Sequence, residues 1–221
     1  MRFILLGAPG VGKGTQAAML AEHYGLVSLS TGEMLRQAVD SNTELGTKVK
    51  SVIESGHLVD DYIVEQIVKE RLIQKDCGNG FIIDGFPRTV SQAVALDDIL
   101  KRLHKDDVYV IFIDMTEDDL RNRLRGRILC AQCKSVYNTL FFKDEEENIC
   151  PSCGSREFVH RPDDDDDAVH RRFVAYREKT APVVDFYSKH PGFIRVNGAL
   201  SMEQVFRSIV DRISKVMLTF V

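Results

Sequence analysis

The chain has 221 residues, 44% hydrophobic and 28% charged, enough to bury one substantial core with room for an inserted module. A formal net charge of −4 excludes a broad nucleic-acid or anionic-membrane surface, although arginines can still cluster locally. The apolar run after Arg2 is too short for a signal-peptide core and no stretch approaches the ~20 residues of a membrane span, so a cytoplasmic, reducing location is expected, without structural disulfides.

The first predicted element is a buried strand, Phe3-Ile4-Leu5-Leu6, which leads into Gly7-Ala8-Pro9-Gly10-Val11-Gly12-Lys13-Gly14-Thr15. An apolar-periodic helix follows over Thr15 to Tyr24. Glycines at 7, 10, 12 and 14 let backbone N–H groups turn inward around a polyphosphate, where side chains would obstruct them. The helix N-terminus adds partial positive charge and Lys13 a full one. The general phosphate-loop pattern places a hydroxyl directly after the lysine; here Gly14 intervenes and the hydroxyl comes at Thr15. Magnesium would then be held more by phosphate and water than by protein.

Ser30-Thr31-Gly32-Glu33 reads as a capping box opening a helix, and Asp60 as the cap of an amphipathic stretch running to Lys75. Gly80 to Asp84 reads as a second strand, and Asp84 at its end is placed to orient magnesium or its waters. In the following Gly85-Phe86-Pro87-Arg88, the proline restrains the turn and sets the direction of Arg88. A helix is expected from Thr89 to near His104, a strand over Val108 to Ile113, and a helix from Thr116 to Arg127. From about Arg127 to Pro162 there is no helical period, which marks an insertion. Five aspartates, Asp163 to Asp167, then give a helix a negatively charged start, with Asp163 and Asp164 available as salt-bridge partners when the insertion closes. Phe193 to Val196 is a last strand and Ser201-Met202-Glu203-Gln204 opens the last helix. Strands alternating with helices imply an α/β protein, a mostly parallel sheet covered on both faces, with ligands beyond the carboxyl ends of its strands.

Inside the insertion, Cys130-Ala131-Gln132-Cys133 and Cys150-Pro151-Ser152-Cys153 form two CxxC turns. Two thiolates from each suit a tetrahedral four-sulfur site, for structural zinc or, in the same geometry, iron. Cys77, before Gly78, reads as a plain thiol. Arg36, Arg88, Arg123, Arg127, Arg161 and Arg172 recur where the chain returns to one cleft, and no nucleophile–base pair stands out among six scattered histidines. That combination suits phosphoryl transfer, where fixed guanidinium groups follow the spreading charge and no base is essential.

Together these motifs, in this order from Met1 to about Ile213, resemble the adenylate kinases of the bacterial long-lid, zinc-containing type. The resemblance rests on the loop 7–15, Ser30-Thr31-Gly32-Glu33-Met34-Leu35-Arg36, Gly80 through Gln92, Gly126-Arg127, Arg161-Pro162-Asp163-Asp164 and Val169 to Arg172. It implies a P-loop nucleoside monophosphate kinase fold: a five-stranded parallel sheet in a core of residues 1–29, 60–125 and 165–221, a helical monophosphate-binding module of 30–59 and a lid of 126–164. The implied ATP contacts are Gly10, Val11, Gly12, Lys13, Gly14, Thr15, Arg127, Val136, Tyr137 and Leu200. The implied AMP contacts are Thr31, Arg36, Leu58, Val59, Gly85, Arg88, Gln92, Arg161 and Arg172, with Thr31 and Gln92 reading adenine. Lys13, Asp84, Arg88, Arg123, Arg127, Arg161 and Arg172 would form the catalytic set. The implied reaction is ATP plus AMP giving two ADP, with magnesium on the ATP phosphates, zinc holding the lid through Cys130, Cys133, Cys150 and Cys153, and a monomer as the expected state.

Two alternatives stay open at this level. One is a kinase of the same fold acting on UMP or CMP, against which stand the long metal-bearing lid and Gln92. The other is a nucleic-acid-binding module on the cysteine turns, using Lys134, Lys143 and Arg156. Asp144, Glu145, Glu146 and Glu147 in the same segment would repel a phosphate backbone.

Overall fold

The computed structural model describes residues 1–41, 43–139 and 149–219, with side chains through residue 216. Lys143 and Asp144 to Glu147 lie outside the described residues. Five strands form one all-parallel sheet: β1 (Arg2–Leu6), β2 (Val27–Ser30), β3 (Phe81–Asp84), β4 (Tyr109–Asp114) and β8 (Phe193–Asn197), in the order β2-β3-β1-β4-β8. The register pairs Leu5 with Asp84, Ser30 with Asp84 and Leu6 with Phe112, so every carboxyl end lies along one edge.

The pleat sends alternate residues of β1 to opposite faces, and each face has its own core. Phe3 and Leu5 join Ile82, Ile111 and Ile113 beneath α1 (Lys13–Tyr24), α6 (Glu117–Arg125), α7 (Asp166–Ala175) and α9 (Met202–Thr219). Ile4 and Leu6 join Phe81, Ile83, Val110 and Phe112 beneath α4 (Asp61–Leu72), α5 (Val90–Arg102) and α8 (Ala181–Tyr187). Phe3 is fully buried, and truncating such a side chain to alanine costs about 3–5 kcal/mol.

The helix starts follow their caps. Asp60, Thr89 and Thr116 accept hydrogen bonds from the backbone N–H groups of Tyr62, Gln92 and Asp119. Ser30 Oγ accepts from Glu33 N–H at 3.4 Å. Ser201 and Gln204 cap each other reciprocally, Ser201 Oγ accepting from Gln204 N–H and Gln204 Oε1 from Ser201 N–H. The stretch expected to run to Lys75 ends as α-helix at Leu72 and continues as a 3₁₀ turn over Lys75–Gly78. Two elements go beyond the residue-level reading. Strand β2 carries only two apolar residues, and α3 (Glu44–Glu54) follows α2 (Thr31–Asp40) as a packed pair.

The described residues of the segment without helical period form a three-stranded antiparallel sheet, β6-β5-β7, of β5 (Arg127–Cys130), β6 (Val136–Asn138) and β7 (Phe158–Val159). Among the described residues no helix is long and apolar enough to cross a membrane.

Candidate active site

Strand β1 ends at Leu6 and the loop before α1 bends through three positive-φ glycines, Gly7 (150°), Gly10 (85°) and Gly12 (97°). At Gly10 the demand is double. A left-handed backbone disfavours any side chain, and a Cβ there would lie 2.8 Å from Leu124 Cγ on α6. Lys13 opens α1 and folds back over the loop, its Nζ donating to the carbonyls of Gly7 at 2.8 Å and Ala8 at 3.0 Å. Asp84, at the end of the neighbouring strand, brings its carboxylate close to Gly14.

A cleft of about 140 Å³ opens at this edge of the sheet. Of the residues singled out in the sequence, Lys13, Thr31, Arg36, Leu58, Val59, Gly85, Arg88, Gln92 and Arg172 line it. Arg123, Arg127, Arg161, Val136, Tyr137 and Leu200 lie beyond its lining. Arg123 donates to the Gly198 carbonyl at 3.1 Å, tying α6 to the loop after β8. Arg127 and Arg172 share one acid. Arg127 Nε reaches Asp164 at 2.6 Å with a second contact from its Nη2, and Arg172 Nη1 reaches Asp164 and Asp163, both at 2.9 Å. These pairs join the base of the small sheet to α7.

The cations are crowded beyond what their acids balance. Burial, with Arg88, Arg172 and Arg127 nearby, pulls the Lys13 ammonium down to about 8, although Asp84 works in the other direction. Burial together with Arg127 and Arg36 takes Arg161 down to about 10. Burial lowers Arg88 and Arg172 as well. Asp163 responds oppositely: burial disfavours its charge, but Arg172, Arg127 and Arg161 together hold it below the usual carboxylate range. Arg161 Nε is buried without a hydrogen-bond partner among the described residues. A site with surplus buried positive charge in its cleft, and an orphaned guanidinium N–H beyond the lining, suits an anion carrying several oxygens.

Comparison with known proteins agrees with this chemistry. Residues 5–191 match the family model described as adenylate kinase. A protein named adenylate kinase from Kosmotoga olearia is 46% identical over 209 residues, covering 95% of this chain and 97% of its own. Proteins of the same name from Archaeoglobus fulgidus and Thermosipho africanus are 43% and 41% identical, each covering 97% or more of this chain. The chain belongs to the adenylate kinase family.

In this adenylate kinase family member the four cysteines of the two turns meet. Their sulfurs all lie within 4.8 Å of one another, with Cys130–Cys153 and Cys133–Cys150 each at 3.5 Å. Four thiolates bound at about 2.3 Å to one tetrahedral ion would stand about 3.8 Å apart, so the donor set fits zinc. The turns are built alike. In each, the first cysteine's N–H donates to the carbonyl of the serine five residues on, Ser135 or Ser155, and the residue after the second cysteine is left-handed, Lys134 at 60° and Gly154 at 76°. Burial opposes the Cys150 thiolate, but the Tyr137 hydroxyl and the Ser152 N–H outweigh it and bring the thiol down to about 6. Tyr137 is thereby tied to the cysteine cluster, with its ring edge-on to Phe158.

Several residues in and around the cleft were not singled out as site residues in the sequence. His57 and Thr180 line it, Thr180 Oγ1 donating to the Arg88 carbonyl at 2.9 Å. Arg171 Nε donates to the Ser55 carbonyl at 2.6 Å, holding the end of α3 against α7. Asp61 accepts from both Thr89 and Gln92. The sequence signal for Asp61 is slight: two adjacent aspartates open one helix, where one suffices as its cap.

Proposed function

We propose that this chain transfers the terminal phosphoryl group of ATP reversibly to AMP, giving two ADP, by positioning and charge stabilisation. The supporting observation is the meeting of a phosphate-type loop, with Lys13 over it, and a cleft walled by Arg36, Arg88 and Arg172. In our reading Gly10 to Thr15 and Arg127 hold the ATP phosphates, while Val136, Tyr137 and Leu200 approach its base. Thr31, Leu58, Val59, Gly85 and Gln92 hold the AMP nucleoside, and Arg36, Arg88, Arg161 and Arg172 its phosphate. Lys13 would exchange the Gly7 and Ala8 carbonyls for phosphate oxygens, and Arg123, Arg127 and Arg172 would follow the charge that spreads over the transferred group.

Magnesium on the ATP phosphates supplies charge neutralisation, and Asp84 beside Gly14 would order its waters. Zinc held by Cys130, Cys133, Cys150 and Cys153 would complete the fold of the lid and leave no open coordination position for chemistry. We assign residues 30–59 to the monophosphate module, 126–164 to the lid and the rest to the core. Closing both modules would exclude the water that otherwise hydrolyses ATP. A cytoplasmic monomer with no nucleic-acid or membrane partner completes the reading.

The test is product analysis by anion-exchange chromatography with magnesium-ATP and, separately, AMP, dAMP, UMP, CMP and GMP. Bulk ADP with AMP or dAMP alone is expected. Diphosphates formed from UMP or CMP instead would overturn the acceptor assignment and leave the phosphate loop standing.

A further inference from the structure

Gln92 presents a buried amide in the wall of the cleft, and its orientation is not free. The Arg88 backbone N–H, which can only donate, meets Oε1 at 2.7 Å. An Asp61 carboxylate oxygen, which as an anion only accepts, meets Nε2 at 2.7 Å. Turning the amide by half a rotation would set N–H against N–H and oxygen against carboxylate. Asp61 is held in turn. Its second oxygen accepts from the Thr89 hydroxyl at 2.8 Å, and that hydroxyl accepts from the Gln92 backbone N–H at 3.1 Å. The network therefore assigns every donor and acceptor role, and it crosses from the first turn of α4 to the first turn of α5.

A carboxamide has two N–H donors and two oxygen lone pairs, so one of each remains at Gln92 for a ligand. Purine edges can be sorted by that remainder. Adenine offers a ring acceptor beside an amino donor, whereas hypoxanthine, on the same bicyclic frame, offers a ring donor beside a carbonyl acceptor. A glutamine free to turn over serves either edge. A locked one serves a single order of donor and acceptor and leaves the other order with unpaired polar groups.

We propose that Asp61 determines the acceptor base by locking the Gln92 amide in the orientation that matches adenine. Asp61 is a positioning residue that acts through Gln92 and touches no substrate, and the proposal rests on the AMP assignment above. Asp60 already caps α4 through Tyr62 N–H, which leaves Asp61 to reach across to α5.

The experiment measures kcat and KM for AMP and for IMP, with magnesium-ATP as donor, in the unaltered chain and in Asp61→Leu, Asp61→Ala and Asp61→Asn. The unaltered chain is expected to prefer AMP. Leu and Ala should lower that preference in kcat/KM about tenfold, the worth of one well-made hydrogen bond, while KM for ATP stays the same. The Asn variant can still accept from Nε2 and should keep the preference to within about threefold. A folded Leu or Ala variant with the parental preference overturns the lock, as does an equal loss for both acceptors, which would mark a merely structural role. Failure of the unaltered chain to use AMP overturns the acceptor assignment and the lock with it.

Discussion

The phosphate loop and the cysteine lid, each assigned above to surround an ion, use opposite materials. The loop draws on the backbone of one continuous segment between β1 and α1, backed by the parallel sheet and by Leu124 of α6. The lid draws on four side chains from two separate turns over a three-stranded sheet. One site inherits its rigidity from a core on which it makes little demand; the other has almost no core and, on the proposed zinc assignment, would take its order from the metal. Chemistry and stability should therefore separate: damage to the loop removes turnover while the fold remains, and damage to the lid loosens the fold while the chemistry survives.

Lys13→Ala is the sharpest test of that separation. Turnover should fall about a thousandfold or more, because a charge over the transferring phosphates is lost. The melting temperature should change little, since the same ammonium is buried among Arg88, Arg127 and Arg172 and its removal relieves repulsion. Steady-state kinetics beside calorimetry decides the matter, and near-normal activity would sink the phosphate-loop assignment.

The opposite arm is Cys130→Ser with Cys133→Ser. Melting should fall by roughly 10 °C, and a chelator should do the same to the unaltered chain but not to the variant. Activity at low temperature should persist, because no cysteine approaches the cleft lining. An unchanged melting curve would remove the metal from the lid.

What could be read from the chain follows the same division. The loop was legible because backbone demands are written in contiguous glycines, and the knuckles because four of five cysteines fall into matched pairs. Caps at Asp60, Thr89, Thr116 and Ser201 were legible because a cap is satisfied within three residues of itself. Strand β2 was not, since Val-Ser-Leu-Ser has too few apolar residues to announce a strand and takes its place from pairing with β3. Contacts such as Arg171 to Ser55 and Asp61 to Gln92 span 116 and 31 residues, and nothing local marks the pairing even where one partner lies in a recognisable motif. Arg123 was recognisable as a cation but not as a tether to Gly198, for the same reason.

Between the two regions lies Asp164, whose side chain is 2% exposed while it holds both Arg127 and Arg172. Asp164→Asn leaves two guanidinium groups short of a buried counter-charge and should cost about 2–3 kcal/mol, a melting shift of roughly 5–10 °C. Saturating ATP and AMP should narrow the gap, because phosphate oxygens can take over the arginines. A gap that stays constant with nucleotide would place Asp164 in the architecture of the hinge alone.

The smallest effect is in pH. Lys13 has a value of about 8 in the ligand-free protein, below the ordinary 10.5 of a lysine, with burial as the main cause. A depressed cation binds its proton less tightly folded than unfolded, so Lys13 opposes folding below about 8, and that penalty is relieved as pH rises from 8 towards 10.5. Binding runs the other way. ATP phosphates favour the charged ammonium and raise its value, so nucleotide binding should take up a proton above pH 8 and KM for magnesium-ATP should rise severalfold by pH 9.5. No cysteine lines the cleft, so the Cys130→Ser, Cys133→Ser variant should keep the same KM profile. Lys13→Arg, whose guanidinium keeps its charge throughout, should lose the rise and give a flat profile. A rise that survives Lys13→Arg would move the titrating group away from the loop.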